Sequence, residues 1–154
     1  MYTPHVQIFR HDKKQGFSFM DQPQEVALVA VAAFDLREGS SERRNLKLPL
    51  EGHLTIEQLQ NSTTYVENSK DKIRNMLRIM ALKGHTQLVL GALGCGAFQN
   101  PPGLIAQFFK EIFNEQEFKG RFEQVDFAIL KMSASDQNNI DEFSKICSEM
   151  NKIN

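Results

Sequence analysis

Leu88-Val89-Leu90-Gly91-Ala92-Leu93-Gly94-Cys95-Gly96-Ala97-Phe98-Gln99-Asn100, followed by Pro101-Pro102, decides how this chain is read. Leu88 to Gly91 predicts a buried strand, and the amphipathic stretch after the prolines predicts a helix, so a glycine loop joins strand to helix. Gly91, Gly94 and Gly96 let backbone approach a ligand with no Cβ in the way, and the helix start offers unpaired N–H groups. That is the construction of a phosphate site. Phe98 is placed to cover a sugar or base. Walker A chemistry is excluded because no lysine follows these glycines, and the Rossmann fingerprint would need a glycine at Gln99.

Outward from that loop, the chain alternates strands and helices. Val6 to Phe9 predicts a short strand. Val26 to Phe34 is a continuous apolar run, as a central parallel strand covered on both faces requires. Residues 35 to 64 are polar and irregular, with Gly39, Pro49 and Gly52, and predict a long loop serving as lid or insertion. Within it, Arg43, Arg44 and Lys47 read as a solvated basic cluster. Ser62-Thr63-Thr64 caps a helix from about Val66 to Lys83, with Ile73, Met76, Leu77, Met80 and Ala81 on its apolar face, and Gly84 as its C′ residue. After the glycine loop, Asn100 as N-cap starts a helix from Pro101 or Pro102 to about Glu117, burying Leu104, Ile105, Phe108, Phe109, Ile112 and Phe113. Val125 to Leu130 predicts a third strand, and Asp136 to about Asn151 a closing helix with Ile140, Phe143, Ile146, Cys147 and Met150 on one stripe. The order predicts an α/β fold, residues 1–154 forming one domain with helices packed on a parallel or mixed sheet.

Composition narrows the function. The 154 residues are 41% hydrophobic and 24% charged, in the range of a globular domain that folds. A net charge of −1 and pI near 6.4 give no positive field for capturing nucleic acid. No apolar run reaches the ~18 residues that span a bilayer, the N-terminal residues do not form a signal peptide, and two cysteines in unlike contexts predict no disulfide; the expectation is a cytoplasmic protein. His5, His11, His53 and His85 lack metal spacing, so no metal and no cofactor are expected. Cys95 beside a helix start is read as a small residue filling a crowded loop, since no histidine can be placed next to it as a base. Asp35, at the end of the first apolar strand, is a candidate contact for a ligand hydroxyl or an adenine amine.

The glycine stretch, the preceding Arg78-Ile79-Met80-Ala81-Leu82-Lys83-Gly84-His85 and the later Val125-Asp126-Phe127-Ala128-Ile129-Leu130 together resemble the microbial-type poly(ADP-ribose) glycohydrolases, which are macrodomain-like. Tyr2 to Arg10 is similar to the segment that family places just before its second half. The resemblance implies a three-layer α/β/α fold with a mixed, mostly parallel sheet. It implies that Gly94, Cys95, Gly96, Ala97 and Phe98 wrap the diphosphate and distal ribose of ADP-ribose, free or on a modified macromolecule, with Asn100 steadying the loop. Adenine would lie nearer the ends of the strands at Val26–Phe34 and Val125–Leu130.

The family's catalysis depends on a glycine-rich run and a Gln-Glu-Glu element upstream of the matching part, and neither is present. Gln22-Pro23-Gln24-Glu25 has the wrong order and an internal proline. Glycosidic cleavage needs a carboxylic acid to protonate the leaving oxygen; no catalytic residue is assigned, and the expectation is ligand binding without hydrolysis by this chain alone. The alternatives are an active hydrolase whose acid comes from a partner or an unrecognised carboxylate, and a structural remnant without ligand. A sheet cut short at one edge leaves unpaired N–H and C=O groups, which predicts a homo-oligomer, a complementing chain or a rearranged N-terminal strand covering it.

Overall fold

The computed structural model describes residues 1–131 and 133–150. The chain divides into two compact units, Met1–Val31 and the residues from Ala32 onward, and each is taken by itself.

The first unit is an antiparallel hairpin of β1 (Tyr2–Arg10) and β2 (Phe19–Val29). Val6 pairs with Val26 and Arg10 with Phe19, with register shifts between Thr3 and Val6, the stretch that holds His5, and between Ile8 and Arg10. His5 takes the left-handed φ of 60° that a bulge permits. Its Nδ1 lies 2.7 Å from Glu25 Oε1 across the strands. Near the turn, the Arg10 guanidinium lies 4.0 Å from the Phe19 ring centroid and donates to the Phe17 carbonyl at 2.9 Å.

This hairpin corrects one expectation. The apolar run Val26–Phe34 is not a single central parallel strand. Its first four residues end β2, which starts seven residues earlier and pairs antiparallel, while Ala30 to Phe34 leave the strand. Leu28 is 52% exposed, so the run is not covered on both faces. A continuous apolar stretch records how many greasy residues are adjacent, and carries no information about which strand they pair with.

The second unit holds α1 (Ser41–Asn45), α2 (Ile56–Gln60), α3 (Thr63–Leu82), β3 (Gln87–Leu90), α4 (Pro102–Phe113), β4 (Gln124–Phe127) and α5 (Gln137–Met150). β3 and β4 pair in parallel, Gln87 opposite Gln124 and Leu90 opposite Phe127, with α4 in the connection between them. The α/β class stands, and "mostly parallel" does not: among the described residues there is one parallel pair and one antiparallel pair. β3 alternates in burial, Leu88 and Leu90 inward and Val89 73% exposed, so its sheet has one open face.

The three long helices follow the apolar periodicity. Ser62 caps α3 by accepting from the Tyr65 amide at 3.3 Å, and Gly84 takes φ 79° just past its end. Ile73, Met76 and Leu77 are buried on α3, Leu104 to Ala106, Phe108, Phe109 and Ile112 on α4, and Phe143 and Ile146 on α5. Phe109, Phe127 and Phe143 meet at centroid distances of 5.0 to 6.2 Å. These aromatics are core. α4 stops at Phe113, four residues short of the expected end, and α5 is described to Met150, so its expected last residue, Asn151, lies outside the described residues. No helix among the described residues is long and apolar enough to cross a membrane.

Residues 35 to 64 hold more structure than their polarity suggests. Leu36, Leu46, Leu48 and Leu59 are buried, and α1 and α2 are capped by Ser40 and Thr55. Arg43 is not a solvated charge. At 2% exposure, it donates from Nε to the Leu36 carbonyl at 2.7 Å and from Nη1 to those of Pro49 (3.1 Å) and Gly52 (2.8 Å). One guanidinium thus satisfies three carbonyls of a segment without strand partners. Arg43→Met keeps the bulk and removes the donors, and is expected to cost about 3 kcal/mol in urea unfolding. A loss below about 1 kcal/mol would mean that the leucines alone hold the segment.

Candidate functional site

β3 delivers the chain to the glycine loop at its carboxyl end, where ligands gather in open α/β sheets. The loop is held from inside by Asn100, which is 2% exposed. Its Nδ2 donates to the carbonyls of Phe34 (2.7 Å) and Gly94 (3.1 Å), and its Oδ1 accepts from the Tyr65 hydroxyl at 2.9 Å. The expectation that Asn100 caps the next helix is therefore corrected. Pro101 occupies the N-cap position with no side-chain cap bond, because the Asn100 amide is consumed by the loop and α3. That Asn100 ties the loop down follows directly from these contacts.

Gly94 has no alternative at its position. With φ 73°, an added Cβ would sit 2.4 Å from Ala33 Cβ and 2.6 Å from Asn100 Nδ2. Gly91 and Gly96 have open space around the same atom. Gln99, where a Rossmann loop would need glycine, takes the left-handed φ of 59°, a conformation non-glycine residues seldom adopt.

The amides from Cys95 to Asn100 fall into two groups. Those of Cys95, Gln99 and Asn100 turn inward to the carbonyls of Ala92, Gly96 and Gly94, at 3.0 to 3.1 Å. Those of Gly96, Ala97 and Phe98 donate to no protein acceptor among the described residues, and Gly96 and Ala97 are exposed. The start of α4 adds little. Two prolines remove N–H groups there, and a Cβ on Gly103 would lie 3.0 Å from Glu142 Oε2, so a carboxylate of α5 already stands beside the first turn.

Asp35 reaches this region with its carboxylate occupied. Arg37 donates to it from Nε (2.9 and 3.1 Å), from Nη2 (2.7 Å) and from its backbone amide (3.0 Å), and these bonds hold the Asp35 carboxyl below the usual range. The Arg37 guanidinium lies 5.6 Å from the centroid of Phe98, and the Leu36 amide donates to the Phe98 carbonyl at 2.9 Å. Sequence places Arg37 only among the charges of the 37–47 run, a flexible loop or a lid whose charges meet a nucleotide, and Tyr65 was missed. Tyr65 shows as an aromatic in a first helical turn, and nothing local links it to Asn100 35 residues away.

The Cys95 thiol, partly buried and donating weakly to the Leu93 carbonyl, is pushed up by burial to about 12. Burial thus works against its thiolate, the nucleophilic form. A cavity of about 200 Å³ lined by Phe113, Phe118, Phe122, Phe127, Cys147 and Met150 lies beside the end of α4 and is separate from the loop.

No family model and no curated protein matches this sequence. Solved structures do. Poly(ADP-ribose) glycohydrolase from Deinococcus radiodurans in complex with ADP-ribose matches with a TM-score of 0.74 and 28% identity, over 97% of this chain and 52% of that one. The enzyme from Thermomonospora curvata matches with a TM-score of 0.71 and 26% identity, over 94% and 46%. The chain is similar to the microbial poly(ADP-ribose) glycohydrolases. It spans about half the length of these glycohydrolases.

Two experiments probe the loop of this glycohydrolase-like chain. Gly94→Ala is expected to lower stability by more than about 2 kcal/mol by urea unfolding, through overpacking and positive φ together, whereas Gly96→Ala leaves it unchanged. Equal stabilities for the two variants would mean that the packing around Gly94 is not formed. With its pKa near 12, Cys95 at pH 8 carries roughly one part in ten thousand of thiolate, against roughly a quarter for an ordinary thiol. Iodoacetamide at pH 8 should leave Cys95 unmodified in the folded protein and alkylate it after unfolding, as read by peptide mass mapping.

Proposed function

We propose that this chain binds ADP-ribose, free or attached to a macromolecule, with the amides around Gly96, Ala97 and Phe98 receiving the diphosphate. Gly91, Gly94, Cys95 and Asn100 shape the loop, and Phe98 packs on the distal ribose. One observation carries the reading: exposed, unpartnered amides lie at the carboxyl end of a parallel strand, in a chain similar to an enzyme solved with ADP-ribose. No cofactor or metal is part of it, and the balanced charge argues against direct capture of nucleic acid. Two free cysteines support a reducing, cytoplasmic setting.

Hydrolysis is assigned to no residue of this chain alone. An acid must carry a proton to give it, and Asp35, the carboxylate beside the loop, is kept ionised by Arg37. An active assembly would draw its acid from elsewhere, and the open face around Val89 in a two-stranded sheet supports a complementing chain or a second copy there.

Isothermal titration calorimetry with ADP-ribose is expected to give a saturable isotherm in the micromolar range that Asn100→Ala abolishes. Absence of heat from the folded wild-type protein at millimolar ligand would remove the binding reading and leave a structural role. Release of ADP-ribose from a modified protein by this chain alone would overturn the non-catalytic part.

A further inference from the structure

Among the charged side chains near the glycine loop, Arg37 combines three properties. It is oriented, it is close, and it has capacity left. Asp35 takes its Nε and Nη2, and the Asp35 carboxylate also accepts from the Arg37 backbone amide, so the turn from 35 to 37 and the guanidinium are fixed by the same group. The Leu36 amide bonded to the Phe98 carbonyl fastens that turn to the loop. Arg37 Nη1 has no hydrogen-bond partner among the described residues, and the guanidinium carbon stands 5.6 Å from the centre of the Phe98 ring. The side chain remains 55% exposed.

We infer that Arg37 is the specificity residue of the loop for an anionic ligand: its free Nη1 edge meets a phosphate held by the amides of Gly96 to Phe98, and Asp35 is the positioning residue that aims it. This rests on the ADP-ribose reading above and names the charged group which that reading lacks. Backbone amides are neutral donors; by themselves they discriminate weakly between a phosphate and any other acceptor. A guanidinium adds full charge and a planar pair of donors. Because Asp35 holds the chain-end torsions, little rotamer freedom remains to be lost when the ligand arrives. The aromatic beneath it favours the same placement, since a cation near a ring face is attracted to it. Asp35 then acts on the ligand through Arg37, in place of the direct hydroxyl or amine contact expected from sequence.

The test is calorimetry with ADP-ribose and with adenosine, on wild type, Arg37→Ala, Arg37→Lys and Asp35→Asn, at 50 and 300 mM NaCl, with thermal unfolding of each variant. The expected result is a loss of affinity for ADP-ribose of at least tenfold in Arg37→Ala. Arg37→Lys recovers part of it, Asp35→Asn loses severalfold, and adenosine affinity changes less than twofold throughout. The salt dependence of ADP-ribose binding flattens in Arg37→Ala, since the exposed charge that salt screens is gone. Unchanged or tighter ADP-ribose binding by Arg37→Ala, with wild type binding normally, overturns the role of Arg37 and leaves the ADP-ribose reading standing. Equal losses for ADP-ribose and adenosine also overturn it, because the side chain would then only support the loop. A wild-type protein that binds neither ligand removes both readings.

Discussion

The buried amide of Asn100 is the joint on which the second unit turns. Its Nδ2 holds the carbonyl of Phe34, near the start of the second unit, and that of Gly94 inside the loop; its Oδ1 receives the hydroxyl of Tyr65 from α3. Three segments separated by up to 66 residues meet on one side chain. A buried amide left with any of these bonds unmade would cost about 1–3 kcal/mol each, so the arrangement is all or none. Gly94 is the geometric counterpart: only a residue without Cβ admits Ala33 and the Asn100 amide into the same space. The loop's shape is therefore set from beneath, before any ligand is considered.

How much of this was legible follows from how far apart the interacting residues are. The apolar stripes of α3, α4 and α5 repeat every three or four residues, and Ser62 and Gly84 flank the element they end, so periodicity and caps placed those helices within a few residues. The glycine loop between β3 and α4 was read for the same reason, since strand, glycines and prolines are contiguous. The pairing of β2 with β1 was not, because nine apolar residues in a row look the same in a covered parallel strand and a half-exposed antiparallel one. Arg43 was misread because its neighbours Glu42 and Arg44 are polar, whereas its burial comes from the carbonyls of Leu36, Pro49 and Gly52, which no local pattern announces.

At the site the same division holds. Which residues form the loop was visible; what each amide does was not. Sequence suggested a helix N-terminus as the source of positive potential, and the structure gives that end two prolines and the nearby carboxylate of Glu142. On the proposed reading, an anion would therefore rest on the unpartnered amides of Gly96, Ala97 and Phe98 and on whatever charge stands over them.

That shift bears on chemistry as well as affinity. A carboxylic acid that donates a proton near neutral pH needs a surrounding that penalises its charged form, such as burial away from cations. Asp35 has the reverse, a bidentate guanidinium and an added amide, and the same interactions that make it useless as an acid make it useful for holding Arg37. The pair is therefore in keeping with the proposed binding role and makes Asp35 itself a poor proton donor. In a fold similar to glycohydrolases about twice its length, the proposed reading assigns this region to gripping and orienting a ligand, and a proton for a glycosidic oxygen would have to come from a group whose environment keeps it neutral, which Asp35 does not have.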